Sequence, residues 1–519
     1  VLAQKSYTPI ITRLSMGKRP FSRKNCNFFC KKVAFSRKKK KTTPSVTAVA
    51  VPAPSESEPS QSHCVRQLPR RGSFICADRQ MAKSSPFGGA GKAARLCLRG
   101  FSAPALQSFS RNDTIRPNRN APLPGFPVRE KEANHMSMNT VPERLAALRA
   151  AMAANGVAVY LIPVGDPHAS EYLPCHYTSL TWFSGFHGEN SNFVVTRTES
   201  ALWADGRYFV QAEKEIAGTE IKLQRMGEPG VPTVEEYCAN ALNEGEALGL
   251  CGLTASTALV NDLKKALEKK GASIKTLNLE DELWTEGRPA LPDTPAWILP
   301  KEYAGFSPAE KLDQLRSKLK ELGCTAQFVG KLDHLAWLLN LRAMDIECTP
   351  YAMAYCYVTP SRAVLFINTA RVTPEAKAEL EANGITLAEY DDVLKFLAAE
   401  TEPQTVLAEC STVNYAVYQV LEQNPALTVK DGTDPLLMMK GVKNETELAH
   451  TKQAHIRDAV AMVRFQMELE SRLAAGETLT ELTVDEILHK YRSADDKFLV
   501  ESFGTIAAYG GNAAMMHYH

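Results

Sequence analysis

The sequence predicts a mixed α/β protein in which two similar α/β domains stand in tandem ahead of a smaller, helix-led module. Three observations predict it. A capped amphipathic helix running into a short apolar strand occurs twice, 167 residues apart. Apolar runs of strand length alternate with stretches of helical periodicity from residue 140 onward. Charge also divides the chain, since residues 1–135 hold 26 Lys+Arg against 6 Asp+Glu while the remainder holds 34 against 52. The net charge of +2 therefore hides a basic leader and an acidic body. At 519 residues the chain is too long for one core. The expected division is a leader over 1–135, domains over 136–297 and 298–440, and a third module over 441–519.

The leader is rich in Lys, Arg, Ser and Pro, as in "RKNCNFFCKKVAFSRKKKKTTPSV", and has no hydrophobic period. Such a segment buries too little apolar surface to offset chain entropy and is expected to be disordered. Its composition fits in-frame sequence upstream of a start at Met136, an organelle transit peptide, or a nucleic-acid-binding arm. The first reading is preferred, because "MSMNTVPERL" directly precedes the first periodic helix. Cys26 and Cys30 are too sparse for a metal site.

The first ordered unit is "TVPERLAALRAAMAANGVAVYLIP". Thr140 is the N-cap, Pro142 sits in the first turn and Glu143 completes a capping box. Leu145, Leu148 and Met152 form the apolar stripe, and Gly156 stops the helix before the strand "VAVYLI". "NFVVT" and "ALWA" are two further strands, Asp205-Gly206 a turn, and "YFVQAEKEI" a helix. After the Pro-rich connector "EGRPALPDTPAWILP" the unit repeats as "SPAEKLDQLRSKLKELGCTAQFVG". Ser307, Glu310, Leu312, Leu315, Arg316 and Gly323 then match Thr140, Glu143, Leu145, Leu148, Arg149 and Gly156 without a gap. A helix and paired strands follow in "LDHLAWLLNLRAMDIECTPYAMAYCYVTPSRAVLFIN". From Lys443 a long helix with Leu448, Ile456, Val460 and Val463 on one face precedes a second helix and a terminal hairpin. About 75 residues are marginal for an independent core.

The 12 cysteines include no CxxC pair, which in a chain this long reads as free thiols in a reducing compartment. No apolar run reaches membrane-spanning length, and the acidic body argues against nucleic acid as the main partner. His168, His176 and His187, with Asp166 and Glu171, invite a metal reading, but loop or interface histidines are favoured. The adjacent pairs Asp485/Glu486 and Asp495/Asp496 read as solvated surface, because neighbouring helical side chains do not face one point. Trp182, Trp203, Trp284 and Trp337 read as core or interface anchors.

Four stretches together resemble one family: "WFSGFHGEN…LWADGRYFVQA", "NLEDELWTEGRP" with "LDHLAWLLNLRAMDI", "KNETELAHTKQAHIRDAVAMVRFQMELE", and "ESFGTIAAYGGNAAMMHY". In this order, over about residues 137–518, they are similar to the long, three-domain Xaa-Pro aminopeptidases (aminopeptidase P). The resemblance implies two creatinase-N-like α/β domains followed by the start of a pita-bread metallopeptidase domain. It also implies hydrolysis that releases an N-terminal residue preceding proline, at a dinuclear site often holding manganese. The family's five metal ligands (two aspartates, a histidine, two glutamates) lie C-terminal to its His-Tyr pair. None is then expected before His519, and the chain is expected to be an inactive fragment that binds no metal. His517 resembles the family's active-site histidine, which hydrogen-bonds the substrate beside the scissile peptide and is not a metal ligand. His519 reads as an arbitrary terminal residue. "HGEN" departs from the usual Gly-Ser-Ala-Gly, and Ala343 stands where a glycine is usual. Short peptides with proline second, a homodimer and a cytoplasmic location are the further expectations, an organelle if the leader is a transit peptide. A prolidase- or creatinase-type enzyme and a non-catalytic peptide- or protein-binding module are the alternatives.

Overall fold

The computed structural model describes residues 140–516 and Tyr518, all within one unit. The leader over 1–135 lies outside the described residues, as do His517 and His519. The first sheet is built from β1 (Val159–Pro163), β2 (Asn192–Thr196), β3 (Ser200–Ala204), β4 (Ile221–Arg225), β5 (Ala247–Leu250) and β6 (Ser273–Thr276). Their order is β4-β3-β2-β1-β5-β6; β1–β2 and β2–β3 are antiparallel and the other pairs parallel. β1 is central and all its residues are buried, which is why "VYLIP" reads as a continuous apolar run rather than an alternating one. Tyr160 and Ile162 pack with Leu145, Leu148 and Met152 of the Val141–Ala154 helix on one face. Val159 and Leu161 pack with Val260 and Leu263 of the Thr257–Glu268 helix on the other.

β7 (Trp297–Ile298) and β9 (Leu341–Arg342) form a small antiparallel pair. The second large sheet comprises β8 (Ala326–Val329), β10 (Tyr355–Val358), β11 (Ala363–Phe366), β12 (Ile385–Ala388), β13 (Gln404–Leu407) and β14 (Leu427–Lys430). Its order is β12-β11-β10-β8-β13-β14, with the same pattern of antiparallel and parallel neighbours as the first. The duplication read from the helix–strand units thus extends to the whole sheet. Individual contacts repeat as well. Arg149 Nε donates to the Thr196 carbonyl at the end of β2, and Arg316 Nε to the Thr359 carbonyl just after β10, both at 3.0 Å. Gly156 and Gly323 end the two leading helices with φ of 64° and 67°, a conformation that disfavours any Cβ.

The two α/β units meet through their equivalent loops. The Thr257 and Tyr415 amides donate reciprocally to the Val413 and Ala255 carbonyls, and the Ala258 and Ala416 amides to Cys410 and Gly252. Ser256 and Asn414, the N-caps of the two helices that start there, bridge each other. Each copy gives what it receives, so the contact has the isologous logic of a twofold dimer held within one chain.

The Glu445–Ala474 helix leaves the second unit with its first turn anchored. Asn444 donates to the Ala304 carbonyl at 3.0 Å and Trp337 Nε1 to Glu447 at 2.9 Å. Phe465 and Leu469 bury against Ile487 and Leu488 of the Glu481–Arg492 helix. The stripe of Leu448, Ile456, Val460 and Val463 does share a face, but that face is exposed (45–57%) among the described residues. Two helices bury only one seam, and Phe465 and Leu469 occupy it. The terminal hairpin is also corrected: after β14 the described residues contain no strand, and beyond the Glu481–Arg492 helix they hold only a 3-10 turn at Asn512–Ala514. The Tyr509 amide is taken by the Glu481 carboxylate instead of a ladder partner.

Candidate functional site

The segment that leads to His517 is tied to the Glu481–Arg492 helix by one side chain. The Glu481 carboxylate accepts from the Tyr509 amide, from Asn512 Nδ2 and from the Tyr518 hydroxyl at 2.8 Å. These donors hold its pKa below the usual carboxylate range, the Tyr518 contact being the largest cause. Tyr518 also receives a bond from Asn512 Nδ2 at 2.8 Å, so the residue between the two terminal histidines is fixed from two sides. His517 itself lies outside the described residues.

The acidic pairs do not converge. Asp495 pairs with Arg457 at 3.0 Å, Asp496 is exposed, and Asp485 and Glu486 stay at the surface of their helix. Among the described residues no three or more His, Cys, Asp or Glu side chains come together in a way that could hold a metal ion. The described side chains therefore do not fit a dinuclear centre.

The N-terminal histidines separate from one another. His168 is fully buried at the junction of the two α/β units: Nδ1 donates to the Gly330 carbonyl at 2.8 Å, leaving Nε2 to accept from the Tyr390 hydroxyl at 2.8 Å. Burial lowers its pKa, so the neutral ring with its proton on Nδ1 is the form this geometry uses. Asp166 does not face it as a metal partner; its Oδ1 caps the His168 and Ser170 amides at 3.0 and 2.9 Å. His176 bonds the Pro289 carbonyl, and exposed His187 sits beside Glu215. Glu171 is exposed. The interface reading thus holds for His168. Trp182, Trp203 and Trp284 are buried, the first and last stacked with centroids 5.5 Å apart, and Trp337 anchors the long helix.

Two ionisable groups went unread in the sequence. Glu280, in "NLEDELW", is 3% exposed. Burial pushes its carboxyl up to about 7. Lys311 is 1% exposed, donates to the Trp337 carbonyl and Asn340 Oδ1 at 2.8 and 2.7 Å, and lies 4.4 Å from the Trp337 ring centre. Burial pulls its ammonium down to about 8. The available signal was position: Lys311 occupies the slot of buried Arg144 in the repeated helix, one residue before the matched leucine.

Residues 144–283 and again 287–447 match the creatinase/prolidase N-terminal domain family, together more than half of the chain. The chain belongs to that family. Beyond that family, the chain is similar to Xaa-Pro aminopeptidases (aminopeptidase P). Aminopeptidase P2 of Arabidopsis thaliana is 34% identical over 410 residues, 73% of this chain and 58% of that one. A probable Xaa-Pro aminopeptidase P of Sordaria macrospora is 35% identical over 396 residues, 74% of this chain and 64% of that one. The crystal structure of X-prolyl aminopeptidase from Caenorhabditis elegans, described as a cytosolic enzyme with a di-nuclear active site, superposes with a TM-score of 0.68. It is 31% identical over 73% of this chain and 64% of that chain. The chain thus spans about three fifths of the length of these relatives.

Proposed function

We propose that residues 136–519 belong to an Xaa-Pro aminopeptidase, with 136–297 and 298–440 as its two N-terminal domains and 441–519 opening its catalytic domain. The complete enzyme releases an N-terminal residue that precedes proline from short peptides, with two divalent metal ions, manganese in our reading. It works as a homodimer in the cytoplasm. The observation that carries this reading is the likeness, at 31% identity, to a solved X-prolyl aminopeptidase across 73% of the chain. His517 is assigned the substrate-facing role, hydrogen-bonding the peptide beside the scissile bond, as a neutral imidazole can near pH 7. The assignment rests on the resemblance of "ESFGTIAAYGGNAAMMHY" to the family.

The test is a chimera in which residues 140–519 replace the matching part of the C. elegans enzyme. His517→Ala in that chimera is expected to lower kcat by about 10²-fold or more, the scale of a lost proton-handling or hydrogen-bonding group, with metal content unchanged. An active chimera in which His517→Ala leaves kcat within threefold removes the assignment.

A further inference from the structure

A cavity of about 200 Å³ lies between the two α/β units, walled by Tyr177, Cys251 and Glu280 from the first and by Tyr355, Tyr390 and Leu394 from the second. It is far larger than the roughly 10–15 Å³ a single water needs and smaller than the ~300 Å³ of the least drug-sized sites, which limits an occupant to a small molecule.

Its chemistry is set by Glu280, 97% buried. Oε2 is bonded to the Tyr160 hydroxyl, while Oε1 has no hydrogen-bond partner. Tyr160 cannot supply more: its one hydroxyl proton is shared between Glu280 Oε2 and the Leu277 carbonyl at 2.9 Å, and its oxygen accepts the Leu279 amide at 3.1 Å. Arg288 acts on Glu280 through its charge, without a hydrogen bond to it. Arg288 is held by Asp281 and by the His176 carbonyl at 3.1 Å, and Asp391 adds a further negative charge from the second unit. Acid exceeds base, one buried carboxylate oxygen lacks a donor, and the remaining wall mixes tyrosine and aliphatic side chains with the polar His176, Ser179, Thr254 and Asn278. A buried charge without a partner is costly, and a cation with N–H donors offsets both the charge and the missing bond. Tyrosine faces add attraction for a cation.

We propose that this cavity is a binding site for a small primary ammonium ion carrying an apolar group, with the Glu280 carboxylate as the acidic group of its wall. A zwitterionic amino acid fits poorly, because its carboxylate would meet Glu280, Asp281 and Asp391. The site is independent of the peptidase reading, since no residue of it belongs to the segment around His517.

The experiment is isothermal titration of the 519-residue chain at pH 8 with benzylamine, benzyl alcohol and L-phenylalanine. Benzylamine is expected to bind saturably, and the other two at least threefold more weakly. Glu280→Gln, which keeps shape and can donate to Tyr160, is expected to weaken benzylamine at least threefold. Leu394→Trp, which fills the cavity from the opposite wall, is expected to do the same with Glu280 intact. Absence of saturable benzylamine binding overturns the proposal. So does binding of the alcohol, of phenylalanine, or of benzylamine to either variant within threefold of the wild-type benzylamine value.

Discussion

Glu280 carries a consequence for stability that its neighbours make quantitative. Its pKa rises from the model-peptide range near 4.5 to about 7 on folding, chiefly through burial. Between those values the folded state holds a proton that the unfolded chain has lost, so this group's contribution to stability falls as pH rises from 5 to 8. The shift corresponds to a loss on the order of 3 kcal/mol. Glu280→Gln removes it, so the variant should gain on the wild type between pH 5 and pH 8 in urea unfolding; an unchanged difference contradicts the buried-acid account. Glu280 was illegible in the sequence because an acid two places into a helix after Asn278 is ordinary N-terminal chemistry. Only the third dimension reveals that its helix lies over Tyr160.

At the scale of elements, the internal twofold contact makes equivalent positions comparable. Ser256 caps its helix through the Leu259 amide at 3.2 Å, and Asn414 caps its own through Val417 at 3.0 Å. Asn414 does more: its Nδ2 donates to the Pro167 carbonyl at 2.9 Å, next to buried His168. Ser256→Ala should therefore cost about 1 kcal/mol and Asn414→Ala about 2 kcal/mol or more in denaturant unfolding. Equal losses would mean that the symmetry is complete and the Pro167 bond contributes nothing. The long helix gives the second comparison. Phe465→Ala, in the seam with Ile487 and Leu488, should cost about 3–5 kcal/mol and speed hydrogen exchange of the 481–492 amides at least tenfold. Ile456→Lys, on a face 57% exposed, should change stability by no more than about 0.5 kcal/mol. If Ile456→Lys is the more damaging of the two, the assignment of the buried face is wrong. The helices and strands themselves were legible, since capping residues, glycine stops and apolar runs act locally. The faces were not, because Leu448, Ile456, Val460 and Val463 form as good a stripe as the one that is buried.

At the scale of the molecule, the repeated order β4-β3-β2-β1-β5-β6 and β12-β11-β10-β8-β13-β14 defines one architecture used twice. It was foreshadowed by Arg149 and Arg316, which match in sequence and bond equivalent carbonyls in space. The contact between the copies was not foreshadowed, because backbone hydrogen bonds at residues 252–258 and 410–416 leave no side-chain pattern. The expected hairpin failed for a related reason: an apolar run becomes a strand only where a partner ladder is present, and Glu481 takes the Tyr509 amide first. We propose that this pair of units and the helix that leaves it belong to an enzyme that removes residues ahead of proline. The direct measurement is release of the N-terminal residue from matched Xaa-Pro and Xaa-Ala peptides by the chimera, with manganese present or chelated. The 519-residue chain alone provides the baseline, where no release is expected. Manganese-dependent release from the Xaa-Pro peptide is expected at least tenfold above the Xaa-Ala peptide; a folded, metal-loaded chimera that releases nothing, or that cleaves both peptides equally, contradicts this function.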